Sequence, residues 1–132
     1  MNYEVFKNEL KNLKAYLESK NELETELEVL WYDLTGVKGV RFDVEHVSYN
    51  PQLAEQLKLE LIDKIEHKEK ELDFTCLAIE RNETHLKALP SDIRVCCKQI
   101  FIQGKTFAEV GRNVGYSANG IYQRIKREVE KI

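Results

Sequence analysis

The residues best placed to do chemistry lie near the C-terminal end of the chain. Asn119, Gln123 and Lys126 stand four and three apart, with Lys105, Arg112, Arg124, Arg127 and Lys131 around them. Asn and Gln can each pair with adenine through two hydrogen bonds in the major groove, at about 1–3 kcal/mol of discrimination per good pair. Lys and Arg neutralise phosphates and fix the register on the duplex. These types at this spacing suit recognition of a nucleic acid rather than bond making.

Nothing else in the chain points to catalysis. There is no phosphate-binding glycine loop and no HExxH pair. His46, His67 and His85 are scattered, and isolated histidines are usually surface or hydrogen-bonded groups. The many carboxylates read as solvated helix faces rather than acid–base dyads. Cys97 as a nucleophile would need a histidine and an electropositive pocket. Cys76, Cys96 and Cys97 are an odd set without a CxxC pair, so they read as reduced residues of a cytoplasmic protein that pack in the core. The expectation is a non-enzyme with no cofactor and no metal.

The elements that must hold the amides and cations can be read from caps and breaks. Leu89-Pro90 ends the preceding helix, because the residue before proline avoids the helical region. A helix from about Ser91 to Gln103 presents Ile93, Cys96 or Cys97, Ile100 and Phe101 on one side. Gly104-Lys105 breaks it. Thr106 with Glu109 three positions on forms a capping box, and the next helix carries Phe107, Val110, Gly111 and Val114. Gly115 suits a tight left-handed turn. Ser117 then caps a third helix with Ile121, Ile125 and Val129 on its inner side. A small residue at Gly111, glycine four later and an aliphatic six beyond that form the helix-turn-helix pattern. Ala118, Asn119, Tyr122, Gln123 and Lys126 lie away from the Ile121–Ile125 seam and are expected to face bases. Lys105, Thr106, Arg112, Arg124 and Arg127 are expected near phosphates. Gly120 is unfavourable inside a helix; close approach to DNA and simple weakening of the helix are both open as its reason.

The first two-thirds reads as two long helices. Phe6, Leu10, Leu13 and Leu17 start a stripe that resumes at Leu27, Leu30 or Trp31, and Leu34; Lys20 and Glu24 fall on the seam between. The helix is expected over 3–34, with Gly36 as its stop, and residues 40–50 as an irregular connection. Pro51 opens the second helix, about Gln52 to Lys87, where Ile65, Leu72, Ile79 and Leu86 recur every seven residues and Leu61, Ile62 and Cys76 widen the stripe. Two such helices suggest an antiparallel hairpin or coiled coil, and they bury too little alone. The C-terminal module, a second copy, or both would cover them.

The chain of 132 residues carries a net charge of −3, unevenly spread. Residues 1–89 hold twelve Lys/Arg against nineteen Asp/Glu, and residues 90–132 hold eight against four. A basic segment joined to an acidic one fits a nucleic-acid contact tethered to a different function. No run of apolar residues is long enough to span a membrane, and no secretory leader is evident.

The stretch LPSDIRVCCKQIFIQGKTFAEVGRNVGYS, Leu89 to Ser117, resembles region 4 of bacterial sigma factors. Leu89-Pro90, Arg94, Gly104, Thr106, Glu109-Val110-Gly111 and Val114-Gly115 with Ser117 carry the likeness. It needs no gap and continues loosely to Ile132. Gly111 departs from the usual alanine, and Arg124 stands where an apolar residue is common, a packing role that Ile125 can take over. With GVKGVRFD from Gly36 to Asp43, the helical pair also resembles phage late-gene activators of the RinA/ArpU type, in outline. These resemblances imply promoter binding, activation of phage late genes, and a base-facing set that includes Ser117.

The reading is therefore an all-α protein: a helical oligomerisation region over 1–88 and a helix-turn-helix DNA-binding domain over 89–132. Its expected partners are double-stranded DNA, RNA polymerase and a second copy of itself, with no membrane, in the cytoplasm of a bacterial host. Two rivals are a small terminase-like DNA-packaging subunit and a helical protein-interaction or inhibitor module. Ring assembly would favour the first, and salt-resistant binding to a protein without DNA the second.

Overall fold

The computed structural model describes residues 1–39 and 51–132, and these are helical, with no strand among them. The connection expected at 40–50, with His46 and most of GVKGVRFD, lies outside the described residues. The elements are α1 (Tyr3–Gly39), α2 (Pro51–Lys87), α3 (Ser91–Cys97), α4 (Phe107–Val114) and α5 (Ala118–Glu130). Lys98–Ile102 prolong α3 as a single π-helical turn.

Asn2 caps α1, its Oδ1 accepting from the Glu4 N–H at 2.7 Å. Such a cap satisfies a donor that the first turn leaves orphaned. The helix does not stop at Gly36 but runs to Gly39. Glycine costs a helix only about 1 kcal/mol, too little to end it unless the chain adopts a left-handed turn there. The stripe also differs in its middle. Leu23 is buried where Lys20 and Glu24 leave the seam to pair with each other at 4.0 Å. The single helix expected over Ser91–Gln103 is instead an α-helix and a π turn, in which the Gln103 N–H reaches the Lys98 carbonyl at 3.0 Å.

The described residues form two compact units: Met1–Glu18 with Cys76–Ile132, and Ser19–Thr75. In the first, Phe6, Leu10 and Leu13 of α1 share one core with Ile79 and Leu86 of α2. The same core takes in Leu89, Ile93, Cys97, Val110, Ile121, Ile125 and Val129. Packing therefore continues across the Leu89-Pro90 break. Arg94 holds that corner, donating to the carbonyls of Lys87 and Leu89 at 3.0 Å each. His85 Nδ1 lies 2.8 Å from the Glu9 carboxylate, which joins these parts of α1 and α2. In the second unit Leu27, Leu34, Leu61 and Ile65 form a smaller cluster, flanked by Leu30 and Leu72. Lys68 reaches Glu26 at 2.6 Å, and this hydrogen bond holds the lysine pKa above its ordinary value.

Charge follows the same division. Residues 19–75 hold fourteen Asp/Glu against seven Lys/Arg, a net −7, and the other unit is at +4. No described helix is long and apolar enough to cross a membrane.

Candidate nucleic-acid interface

The candidate surface is built on α4 and α5, which belong to the first unit. Thr106 opens α4, its Oγ1 accepting from the Glu109 N–H at 3.1 Å. The helix ends at Gly115, whose φ of 84° lies in the left-handed region that glycine alone enters without strain. The Tyr116 N–H then closes back on the Gly111 carbonyl at 2.7 Å, the six-to-one bond of a Schellman turn. Ser117 starts α5, accepting from the Gly120 N–H at 3.0 Å.

This corner is tight enough to dictate Gly111. A Cβ there would strike the Tyr116 carbonyl oxygen and come within 3.0 Å of the Ser117 carbonyl oxygen, both of them backbone atoms. Alanine in place of Gly111 would not fit this turn as built. Gly120 sits close too: a Cβ there would lie 3.1 Å from the Ser117 cap oxygen. Local crowding of the cap is thus a reason for Gly120 that needs no DNA.

Ile121, Ile125 and Val129 turn inward and are buried. The opposite side of α5 is exposed at Asn119, Gln123 and Arg127, which stand four apart in one row. Ser117 and Ala118 are exposed beside the N-terminus of that row. Lys126 is half-buried on its flank, Arg112 is exposed on α4, and Lys105 is half-buried before Thr106. Among the described residues, no hydrogen bond or ion pair engages the side chains of Asn119, Gln123, Lys105, Arg112, Lys126 or Arg127. Their polar ends are available to a ligand. The Thr106 hydroxyl, although it accepts at the cap, still has its hydrogen to donate.

Two expected contacts are placed differently. Tyr122, read as base-facing, is half-buried and sits edge-on to Tyr3 at 5.3 Å and to Phe107 at 5.9 Å. Phe101 completes the cluster, 6.4 Å from Tyr3 and 6.2 Å from Phe107. Edge-to-face aromatic pairs at such distances are favourable beyond the area they bury, so Tyr122 is held on the rim by packing. Burial pushes the Tyr3 hydroxyl up to about 12, with Tyr122 adding to the effect. Arg124, read as a phosphate contact, donates to Asp92 at 2.8 Å and to the Tyr116 hydroxyl at 2.6 Å. Its guanidinium also lies 5.2 Å from the centre of the Tyr116 ring. It ties α5 to α3 instead of pointing outward. Arg127, expected near phosphates, stands in the same row as Asn119 and Gln123.

The sequence reading missed Tyr3, which braces the flank of α5 from the far end of the chain. Nothing near Tyr3 in the sequence signals that contact. Cys96 and Cys97 are both buried, and burial pushes the Cys97 thiol up to about 12, so this sulfur packs as a protonated thiol. Among the described residues no group of three His, Cys, Asp or Glu is placed to hold a metal. No protein-family model, curated protein or solved structure matches the chain.

Proposed function

We propose that residues 89–132 are a helix-turn-helix module that binds double-stranded DNA, with α5 as the helix that enters the major groove. The parts of α1 and α2 within the first unit share a core with this module. The observation that carries the reading is the exposed row Asn119, Gln123 and Arg127 on α5, flanked by the uncommitted cations Arg112, Lys105 and Lys126. Two amides with free donors and acceptors can read adenines, and the cations can follow the phosphates on either side. Ser117 and Thr106, at the starts of α5 and α4, supply hydroxyls where backbone N–H groups also favour a phosphate. The resemblance to sigma factor region 4 and to RinA/ArpU-type regulators extends the reading to promoter binding by a phage or prophage transcription regulator, with RNA polymerase as a second partner.

The test is a titration of the full chain against DNA segments recovered by selection from a random pool. Asn119→Ala with Gln123→Ala should weaken the selected site by at least tenfold and relax its sequence preference. Arg112→Ala and Lys126→Ala should instead weaken all sequences alike and each lower the salt slope by about 1. Unchanged affinity in a folded Asn119→Ala/Gln123→Ala protein rejects this face. Absence of any salt-sensitive binding to duplex DNA rejects the function.

A further inference from the structure

Tyr116 stands in the turn between α4 and α5 and belongs to neither core cluster. It is 45% exposed, yet it is held at both ends. At its base, a Cβ on Gly120 would lie 3.6 Å from the Tyr116 Cβ and Cδ1, so the side chain starts beside that glycine. One turn further along α5, Arg124 Nη1 donates to the Tyr116 hydroxyl at 2.6 Å. Arg124 is itself anchored on α3, through its 2.8 Å bond to Asp92. The chain Asp92, Arg124, Tyr116 thus fixes one hydroxyl on the surface.

The tie between α3 and α5 does not need that hydroxyl. Asp92 with Arg124 makes the tie, and a phenylalanine ring would offer the guanidinium the same face. A tyrosine hydroxyl both accepts and donates. Its acceptor side is taken by Arg124, and among the described residues nothing accepts its hydrogen. Accepting from a cation strengthens the hydroxyl as a donor, because linked hydrogen bonds polarise one another. The result is a single, directed donor suited to an anionic acceptor.

Its place on α5 says which acceptor. Residues three and four apart are neighbours on a helix surface. Gly120 therefore borders Gln123, and Arg124 borders Arg127. Tyr116, which runs from Gly120 to Arg124, lines one edge of the row Asn119, Gln123 and Arg127. Gly120 precedes Gln123 by three positions and Lys126 follows it by three, so the two border opposite edges of that row. A groove has a phosphate strand on each side. One edge of α5 carries the Lys126 ammonium. On the other, Gly120 brings no side chain and Asp92 neutralises Arg124, which leaves the Tyr116 hydroxyl. We propose that this hydroxyl donates to a DNA backbone phosphate, with Arg124 as its positioning residue. The inference rests on the DNA-binding reading above and adds to it a contact that carries no charge.

The test uses the full chain and Tyr116→Phe, each titrated with the selected duplex. The titration is repeated on duplexes carrying one methylphosphonate at each backbone position in turn, which removes a single phosphate charge. Tyr116→Phe should bind about tenfold more weakly to selected and unselected duplexes alike. Its salt slope should not change, since the hydroxyl releases no counterion. At one backbone position the methylphosphonate should weaken the unmodified chain and cost Tyr116→Phe nothing further. Arg124→Met should lose sensitivity at that same position. A purely structural role would instead lower affinity for every duplex by one factor. Circular dichroism and urea unfolding check that both variants stay folded. Full affinity in Tyr116→Phe, or the same methylphosphonate profile in both proteins, overturns the proposal and leaves the DNA-binding reading standing. Full sensitivity at that position in Arg124→Met overturns the role given to Arg124. No binding of duplex DNA by the unmodified chain overturns both readings.

Discussion

The two compact units are built from the same two long helices but reach burial by different routes. In the first, α1 and α2 are roofed by α3, α4 and α5, and Phe6, Leu10, Leu86, Val110 and Ile125 lose essentially all contact with solvent. Among the described residues of the second, α1 packs with α2 alone, and the inner residues Leu27 and Leu61 retain 8% of their surface. An isolated pair of helices has too little interior for full burial. What the difference teaches is that the added helices, not the long pair itself, complete burial in the first unit, although both units keep some large apolar side chains exposed, Leu77 and Val95 in the first and Leu59 and Phe74 in the second.

Truncating the cores should expose this contrast most strongly. Phe6→Ala removes a fully buried ring and should cost about 3–5 kcal/mol in urea unfolding. Leu61→Ala, in the thinner cluster, should cost about 2 kcal/mol, the low end for such a change. Equal losses would break the comparison. Gly111→Val should come next, at about 1–3 kcal/mol from overpacking against the Tyr116 and Ser117 carbonyls. The same change should also loosen the proposed DNA contact, because it strains the corner that holds α5. If Gly111→Val keeps full stability, the corner is not as tight as described.

The smallest effect at neutral pH becomes visible only in alkali. Cys97 and Tyr3 of the first unit ionise at about 12 when folded, against ordinary values of 9.0 and 10.0. Burial disfavours the charged forms, so the folded state holds these protons longer than the unfolded chain does. Their contribution to stability is fully present below about pH 9 and is lost as pH rises toward 12. The urea midpoint of the first unit should therefore fall through that window. Cys97→Ala with Tyr3→Phe should flatten the fall while lowering the neutral midpoint slightly. An unchanged slope in the double variant would mean that other groups govern alkaline unfolding.

Most helix limits near the candidate surface were legible from residues within four positions of one another. Thr106, Gly115 and Ser117 were read as caps and a left-handed turn, and each sits in that geometry. Pro51 and Pro90 mark the starts of α2 and α3. Gly36 and the π turn at Lys98–Ile102 differ from expectation for one reason: a glycine or a spacing alone does not say whether, or in which register, the chain continues its hydrogen bonds.

By itself, then, the chain determined an all-helical protein, the inward stripes and the exposure of Asn119 and Gln123, because caps and periodicity act over one or two turns. Tertiary structure alone decided that Tyr122 leans on Tyr3, that Arg124 reaches Asp92 across 32 positions, and that α1 shares its core with α5. Those choices depend on which distant side chains fill the same space, and close packing rewards one such combination without marking it in any local pattern.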